Sequence, residues 1–441
     1  MRTRREFLKV CTSIAAASQL RAQTASAPSD FKALVCVFLF GGNDANNMIV
    51  PLDSTPFNQY TAARGGIALP PASLLPVNGQ SAAYGLHAQL AALQPLYNSN
   101  KNLAIVANVG TLIKPVTRQD INGGQASLPR NLYSHSDQMT QWQTSVPQES
   151  IGTGWAGRVA DVLRNTYPST FTPGISLAGN AQLLNGQFTT PTQIGQGGDF
   201  GLATISTSTA DLARQTALQQ ILSFDTGVKL IGAMSTILGT GLQNAAEIQQ
   251  VLKSAPAMQT VFPTSGLGAQ LKQAAQLLSV RSALGLSRQI IFCSQGGYDT
   301  HSTQLGTQSQ LFADLSASLA AFYQATGELG ISNQVTTFTE SEFNRTFNPS
   351  STAGSDHAWG SHHFVLGGAV KGGAMYGTFP TLVVNGPDDA ADRGMWIPST
   401  SLDQYAATMS TWFGVQASDL PTVFPNIVNF PATSLGFMTA T

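Results

Sequence analysis

The run ALVCVFLF, Ala33 to Phe40, limits what this chain can fold into more than any other stretch. It is continuously apolar, carries β-branched and aromatic residues, and stops at Gly41 and Gly42. A strand of that kind has to be covered on both faces, as strands are in a parallel sheet flanked by helices. The next segments agree. HAQLAALQPLY (His87–Tyr97) predicts a helix and LAIVANVG (Leu103–Gly110) a strand, which completes a strand–helix–strand unit.

The pattern returns later in the chain. RQIIFC (Arg288–Cys293) predicts a strand, and Leu311, Leu315, Leu319 and Phe322 mark one face of a helix. VTTFT (Val335–Thr339), HFVLGG (His363–Gly368) and TLVVNG (Thr381–Gly386) predict further strands. The expected fold class is α/β, a doubly wound, mostly parallel sheet sandwiched by helices. Residues from about 204 to 288 read as a helical insert rich in Gln, Ser and Ala, with Leu267, Leu271, Ala275 and Leu278 as its core-facing stripe. The segment Asn185–Gly201 reads as a polar loop.

The amino terminus reads as an address rather than as part of this fold. TRREFLKVCTSIAAASQL sets Arg4 and Arg5 before Phe7, Leu8 and Lys9 and then a mildly apolar stretch, the pattern of a twin-arginine export signal. The stretch is shorter than the roughly 18 apolar residues a membrane span needs. The expectation is a signal peptide over residues 1–27, cleaved after Ala22 or Ala27, and a single domain over residues 28–441 without a transmembrane segment. The export machinery is then a partner, and the mature chain is periplasmic or secreted. Chains on this route generally fold before export, often around a metal or cofactor, which favours a metal site. Cys11 lies in the leader, and Cys36 and Cys293 sit in apolar strand-like runs, so the cysteines read as buried small hydrophobes rather than a disulfide framework.

Charge is scarce: Asp, Glu, Lys and Arg make up 10% of the chain and the net charge is −1. That excludes an extended basic surface for nucleic acid or anionic membranes. It also makes the places where charge and imidazole gather informative. Three of the six histidines fall in SDHAWGSHHF (Ser355–Phe364), and GGYDTHS and TESEFNRT lie upstream.

In an open parallel sheet, ligands bind beyond the carboxyl ends of the strands. Asp44 follows the first strand, Asp299 and His301 follow RQIIFC, and Glu342 and Arg345 follow VTTFT. The Asp356–His357 pair precedes a strand, and His362 is favoured over His363 because it lies nearer the loop. These residues are expected to converge on one sheet edge as a metal site. Residues i and i+2 of an extended segment point to one side, so Asp299 and His301 can share an ion. Carboxylates and imidazoles without thiolates suit zinc, manganese, magnesium or calcium. Asp44 taken alone also reads as a turn residue or helix cap, and His87 as a hydrogen-bonded structural residue.

NLYSHSDQMTQWQ (Asn131–Gln143) supplies the nucleophile candidates Ser134 and Ser136, with His135 between them. A hydroxyl at a helix amino terminus lies where the backbone dipole stabilises negative charge. Ser136 or Asp137 can equally be a helix cap.

Taken together, FLFGGNDANNMIVP, NLYSHSDQMTQWQ, GTGWAGRV, GGYDTHS, SEFNRT, SDHAWGSHHFVLGGAVKGG and LDQYAATMSTWFGV resemble the bacterial, twin-arginine-exported family known as domain of unknown function 1501. That family is placed near the alkaline phosphatases and sulfatases, whose fold carries metal ions at the strand ends. The resemblance implies that Asp44 is the first-strand metal carboxylate, Asp299 and His301 an Asp-and-His ligand pair, and His362 the final histidine. Either Glu342 or Asp356 with His357 supplies the remaining ligands. SLPR (Ser127–Arg130) lacks one residue of the motif that makes formylglycine, so a formylglycine sulfatase is not expected.

The functional expectation is an exported metal-dependent hydrolase of phosphate or sulfate esters. Ser134 or Ser136 attacks, and Arg345 clamps the anion. The alternative is a non-catalytic cell-envelope protein of the same fold that binds a glycan or a protein.

Overall fold

The run that opens the sequence reading is strand β1 (Lys32–Leu39), and its side chains alternate between two cores. Val35, Val37 and Leu39 join one hydrophobic cluster, while Leu34, Cys36 and Phe38 join the other. The architecture was obtained as a computed structural model that describes residues 30–79, 82–169, 171–195 and 208–440. The expected signal segment, residues 1–27, lies outside the described residues.

The remaining strands of the main sheet are β2 (Leu103–Gly110), β3 (Gly174–Ser176), β4 (Thr192–Gln193), β5 (Arg288–Gln295), β6 (Val335–Ser341), β7 (Ser361–Leu366), β8 (Met375–Tyr376) and β9 (Thr400–Ser401). Their order is β8-β2-β7-β6-β1-β5-β3-β4, with β9 added on β2. β1 lies parallel to β5 and β6 with every paired residue in register. β7 alone breaks the pattern, running antiparallel to β2 and β6. The helices long enough to matter are α1 (Ser54–Arg64), α2 (His135–Thr144), α3 (Trp155–Leu163), α4 (Thr209–Leu222), α5 (Lys229–Leu252), α6 (Gly266–Ser279), α7 (Gln304–Glu328) and α8 (Leu402–Phe413). α6 and α7 cover one face of the sheet, and α3 and α8 cover the other. The result is a mixed, mostly parallel sheet flanked by helices, and the insert is helical through α4 to α6.

Two expected elements form differently. Thr381–Gly386 is a turn, not a strand, because Leu382 and Asn385 take φ of 58° and 64°, which no ladder accommodates. His87–Tyr97 is not one helix: a 3₁₀ turn at Ala88–Leu90 and a short helix at Gln94–Asn98 replace it, with Pro95 starting the second. A short strand, β4, also occupies part of the segment read as loop. Cys36 and Cys293 are free and buried. Among the described residues no helix is long and apolar enough to cross a membrane.

Candidate metal centre

The reversed direction of β7 decides where the SDHAW segment goes. An antiparallel strand begins where its parallel neighbours end, so Asp356 and His357, just before it, arrive at the carboxyl edge of the sheet. Backbone pairing fixes them there: Ala358 N donates to Asn344 O at 2.8 Å, and Thr346 N donates to Asp356 O, also at 2.8 Å. β5 delivers Asp299 and His301 to the same edge, past Gly297 at φ 105°. Gly41, at the end of β1, lies so close to that segment that a Cβ would stand 2.4 Å from Asp299 N. Only glycine permits the two loops to meet.

Three imidazoles gather around the Asp299 carboxylate. His301 Nε2 lies 3.0 Å from Asp299 Oδ1, and the Nε2 atoms of His135 and His357 each lie 3.6 Å from it. His301 Nε2 and His357 Nε2 are 3.0 Å apart. The other ring nitrogen of each histidine is committed elsewhere. His357 Nδ1 donates to the Tyr133 carbonyl at 2.7 Å. His301 Nδ1 is 3.0 Å from Asp356 Oδ1, and His135 Nδ1 is bonded to Glu342 Oε2. With Nδ1 carrying the hydrogen, a neutral imidazole presents a bare lone pair at Nε2. Three such lone pairs and a carboxylate oxygen therefore face one another, beside the Arg345 guanidinium, which donates to Asp299 Oδ1 and lies 3.5 Å from His301 Nε2 through Nη1.

The donor set fits a metal ion. Ligands about 2.0–2.2 Å from an ion stand roughly 3.3–3.6 Å apart at tetrahedral angles and roughly 2.8–3.1 Å apart at right angles. The observed separations of 3.0 and 3.6 Å fall within those ranges. A carbonyl or carboxylate behind each ligating imidazole is how metal sites fix ring orientation and tautomer. Imidazole-rich donors suit zinc better than magnesium or calcium.

Local electrostatics follow from the same contacts. Burial pushes the Asp299 carboxyl up, but the hydrogen bond and charge of Arg345, with His301 and His135, outweigh it and leave the carboxyl below its ordinary value. Burial lowers the His357 imidazole, and Arg345, His135 and His301 add to that, so this ring resists protonation. Burial raises the Glu342 carboxyl despite the opposing pull of His135. Asp356 is held low, because Arg393 and His301 outweigh its burial. The Asp299 and His301 side chains are 48% and 46% exposed, so the cluster opens to solvent.

The structure redistributes the expected roles. Asp299, His357 and His135, the last expected beside a nucleophile, present ligand atoms that all lie within 4.8 Å of one another, and His301 adjoins that set through Asp299 and His357. Glu342 and Asp356 stand behind imidazoles, which removes the need to choose one of them as ligand.

Asp44 is not brought into the cluster. Its carboxylate pairs with the buried Arg64, accepts from Gln304, and caps the turn Ala45–Met48 through Asn46 N. His362 is likewise excluded. It points into the core, where Nδ1 accepts from Asn108 N at 3.0 Å and the ring stacks on Phe379. Burial lowers its pKa to about 3.

Arg345 is fully buried, and its N–H groups are spent on the carbonyls of Gly41, Gly42, Tyr298 and Ser355, on Asp299 and, at 3.5 Å, on His301 Nε2. It ties three loops together and has no donor left to clamp an anion. The Ser134 hydroxyl donates to Asp137 at 2.7 Å and lies 3.2 Å from Ser136 Oγ, so both hydroxyls bond within their own turn.

Two contributors carry no sequence signal. The Tyr133 carbonyl acts through backbone held at φ 79°, a conformation that bulky residues rarely take. Phe343 is a shelf on which His357 stacks, with ring centroids 4.6 Å apart.

Among solved structures, the chain is similar to the lipoteichoic acid synthase LtaP from Listeria monocytogenes, with 10% identity, 94% of this chain and 81% of that one covered, and a TM-score of 0.35. It is also similar to the PsFucS1 sulfatase from Pseudoalteromonas sp. (8%, 93% and 72%, 0.36). A third likeness is to the alkaline phosphatase from the Antarctic bacterium TAB5 (9%, 80% and 94%, 0.30). Likenesses this loose assign no role to any residue. No curated protein matches the chain. Residues 31–392 match the family described as "Protein of unknown function (DUF1501)", and the chain belongs to that family.

Proposed function

We propose that this chain is an exported, metal-dependent hydrolase of phosphate or sulfate esters whose ion is held by His135, Asp299, His301 and His357. One observation carries the reading: three imidazole Nε2 atoms surround Asp299 Oδ1 while each Nδ1 is tied to a carbonyl or carboxylate. A bound divalent ion supplies Lewis-acid polarisation of an ester oxygen and activation of an attacking oxygen. The chain's own residues prepare the site for it. Tyr133, Asp356 and Glu342 hold the three rings in the tautomer that exposes Nε2, and Arg345 orients Asp299. Ser134, adjacent to His135 at the start of α2, is the nucleophile in this reading, and its hydroxyl must turn from Asp137 toward the cluster. Arg4 and Arg5 would direct export.

A second reading, a non-catalytic envelope protein that binds a glycan or protein around a structural ion, is favoured by two observations. Arg345 has no free donor for an anion. A cavity of 410 Å³ beside β3, β4 and β5, lined by Leu177, Gln193 and Ser294 among others, includes none of the cluster.

Metal analysis of the full chain and of His301→Ala and His357→Ala, beside turnover of p-nitrophenyl phosphate and sulfate, separates the two. Tightly held ion lost from both variants, together with turnover, supports the hydrolase. Bound ion without turnover, and binding of an envelope glycan by calorimetry, supports the second reading. A wild-type chain that retains no divalent ion sinks both as stated.

A further inference from the structure

Among the described residues, the hairpin of helices α4 and α5 is anchored at one end only. In the last turns of α5, Asn244 and Ile248 are buried, and Asn244 Nδ2 donates to Thr192 Oγ1 at 2.9 Å. Toward the turn that joins the two helices, nearly every described residue is exposed. There α5 presents Leu230, Ile231, Met234, Ile237 and Leu238, each between 45% and 70% exposed. Their spacing places them on one face of the helix. Ile221, Phe224 and Val228, between 51% and 72% exposed, add apolar surface in and beside the turn. The opposite face carries Gly232, Thr236, Gly239, Thr240 and Gln243. Soluble monomers rarely leave an apolar patch larger than a few hundred Å² uncovered.

We propose that this face seats a second copy of the same chain, the two hairpins packing across a two-fold axis as a four-helix bundle. The area is sufficient. At roughly 200 Å² for a fully exposed large apolar residue, the five on α5 expose about 560 Å² and the three around the turn about 380 Å² more, together about 940 Å² per chain against about 800 Å² per partner in a standard-size interface. Charge agrees. Between Lys229 and Glu247, α5 has no Asp, Glu, Lys or Arg, so two-fold pairing along that stretch sets apolar residues against their own copies without opposing like charges. A lipid surface is the weaker fit, because interfacial helices line their polar face with Lys and Arg. Here that face is Gly, Thr and Gln.

The test is the mass of the full chain in detergent-free buffer, measured by sedimentation equilibrium. A chain of 46.3 kDa is expected to sediment as twice that mass. The double variant Leu230→Glu, Met234→Glu should sediment at the single-chain mass with unchanged circular dichroism, since both positions are exposed. Thr236→Glu, on the polar face, should stay dimeric and shows that a new charge alone does not split the pair. A monomeric wild type, or a Leu230→Glu, Met234→Glu variant that stays dimeric, overturns the proposal. So does a wild type that floats with phosphatidylcholine vesicles and is monomeric without them, which would assign the face to lipid.

Discussion

Glu340 is the penultimate residue of β6 and is completely buried, with a thiol and an indole for company. Its Oε1 accepts from Trp155 Nε1 at 3.3 Å and its Oε2 from Cys36 Sγ at 3.8 Å. Burial raises its pKa from 4.5 to about 8, against the opposing pull of those two hydrogen bonds. Between those values the folded chain holds a proton at this site and the unfolded chain does not. Stability therefore falls as pH rises through that window and levels off above the folded pKa.

A pKa difference of one between the folded and unfolded chains corresponds to about 1.4 kcal/mol, so this one group removes on the order of 4 kcal/mol between pH 5 and pH 8. Glu340→Gln keeps the shape and an acceptor for Trp155 while abolishing the titration. Urea unfolding of both proteins at several pH values from 5 to 8 isolates the effect, because Asp403, raised by burial to about 7, contributes equally to both. The stability difference in favour of the Gln variant should grow by about 1.4 kcal/mol per pH unit. Parallel curves across that range would refute the assignment of a buried, protonated Glu340.

Other perturbations probe the candidate centre and its supports. Asp356→Asn removes the carboxylate behind His301 and should weaken divalent-metal affinity about 10–100-fold, read by competition with a chelating dye. Arg64→Ala leaves the Asp44 carboxylate buried without its cation, and should cost about 3–5 kcal/mol in unfolding experiments. Unchanged stability there would mean that the pair is not formed. Arg4→Lys with Arg5→Lys should keep the chain in the cytoplasm, checked by fractionation; undiminished export would remove the twin-arginine reading.

Much of the sheet was legible in the sequence, because a strand buried on both faces must be apolar at nearly every position. β1 and the IIFC centre of β5 announce themselves that way, β6 shows only Val335 and Phe338 among β-branched threonines, and the four-residue spacing of Leu311, Leu315 and Leu319 marks α7 plainly. The segment Thr381–Gly386 had the same apolar look and became a turn, because composition does not report φ. Asp299, His301 and His357 could be proposed from their place after or before strands. That rule locates a residue at an edge and says nothing about where its side chain points.

Four decisions needed the tertiary structure. Asp44 sits at a strand end as a ligand would, yet Arg64 and Gln304, the latter distant in sequence, take its carboxylate. His362 turns inward, because a strand covered on both faces buries whichever side a histidine occupies. His135 gains its place only because Glu342 and Phe343 pack against it, and His357 gains its tautomer from the Tyr133 carbonyl, a backbone atom that every residue type possesses. The sequence by itself determined which segments could be strands and helices, because burial and periodicity act locally. Which polar atoms meet at the sheet edge is set by strand order and direction, and by contacts between segments hundreds of residues apart.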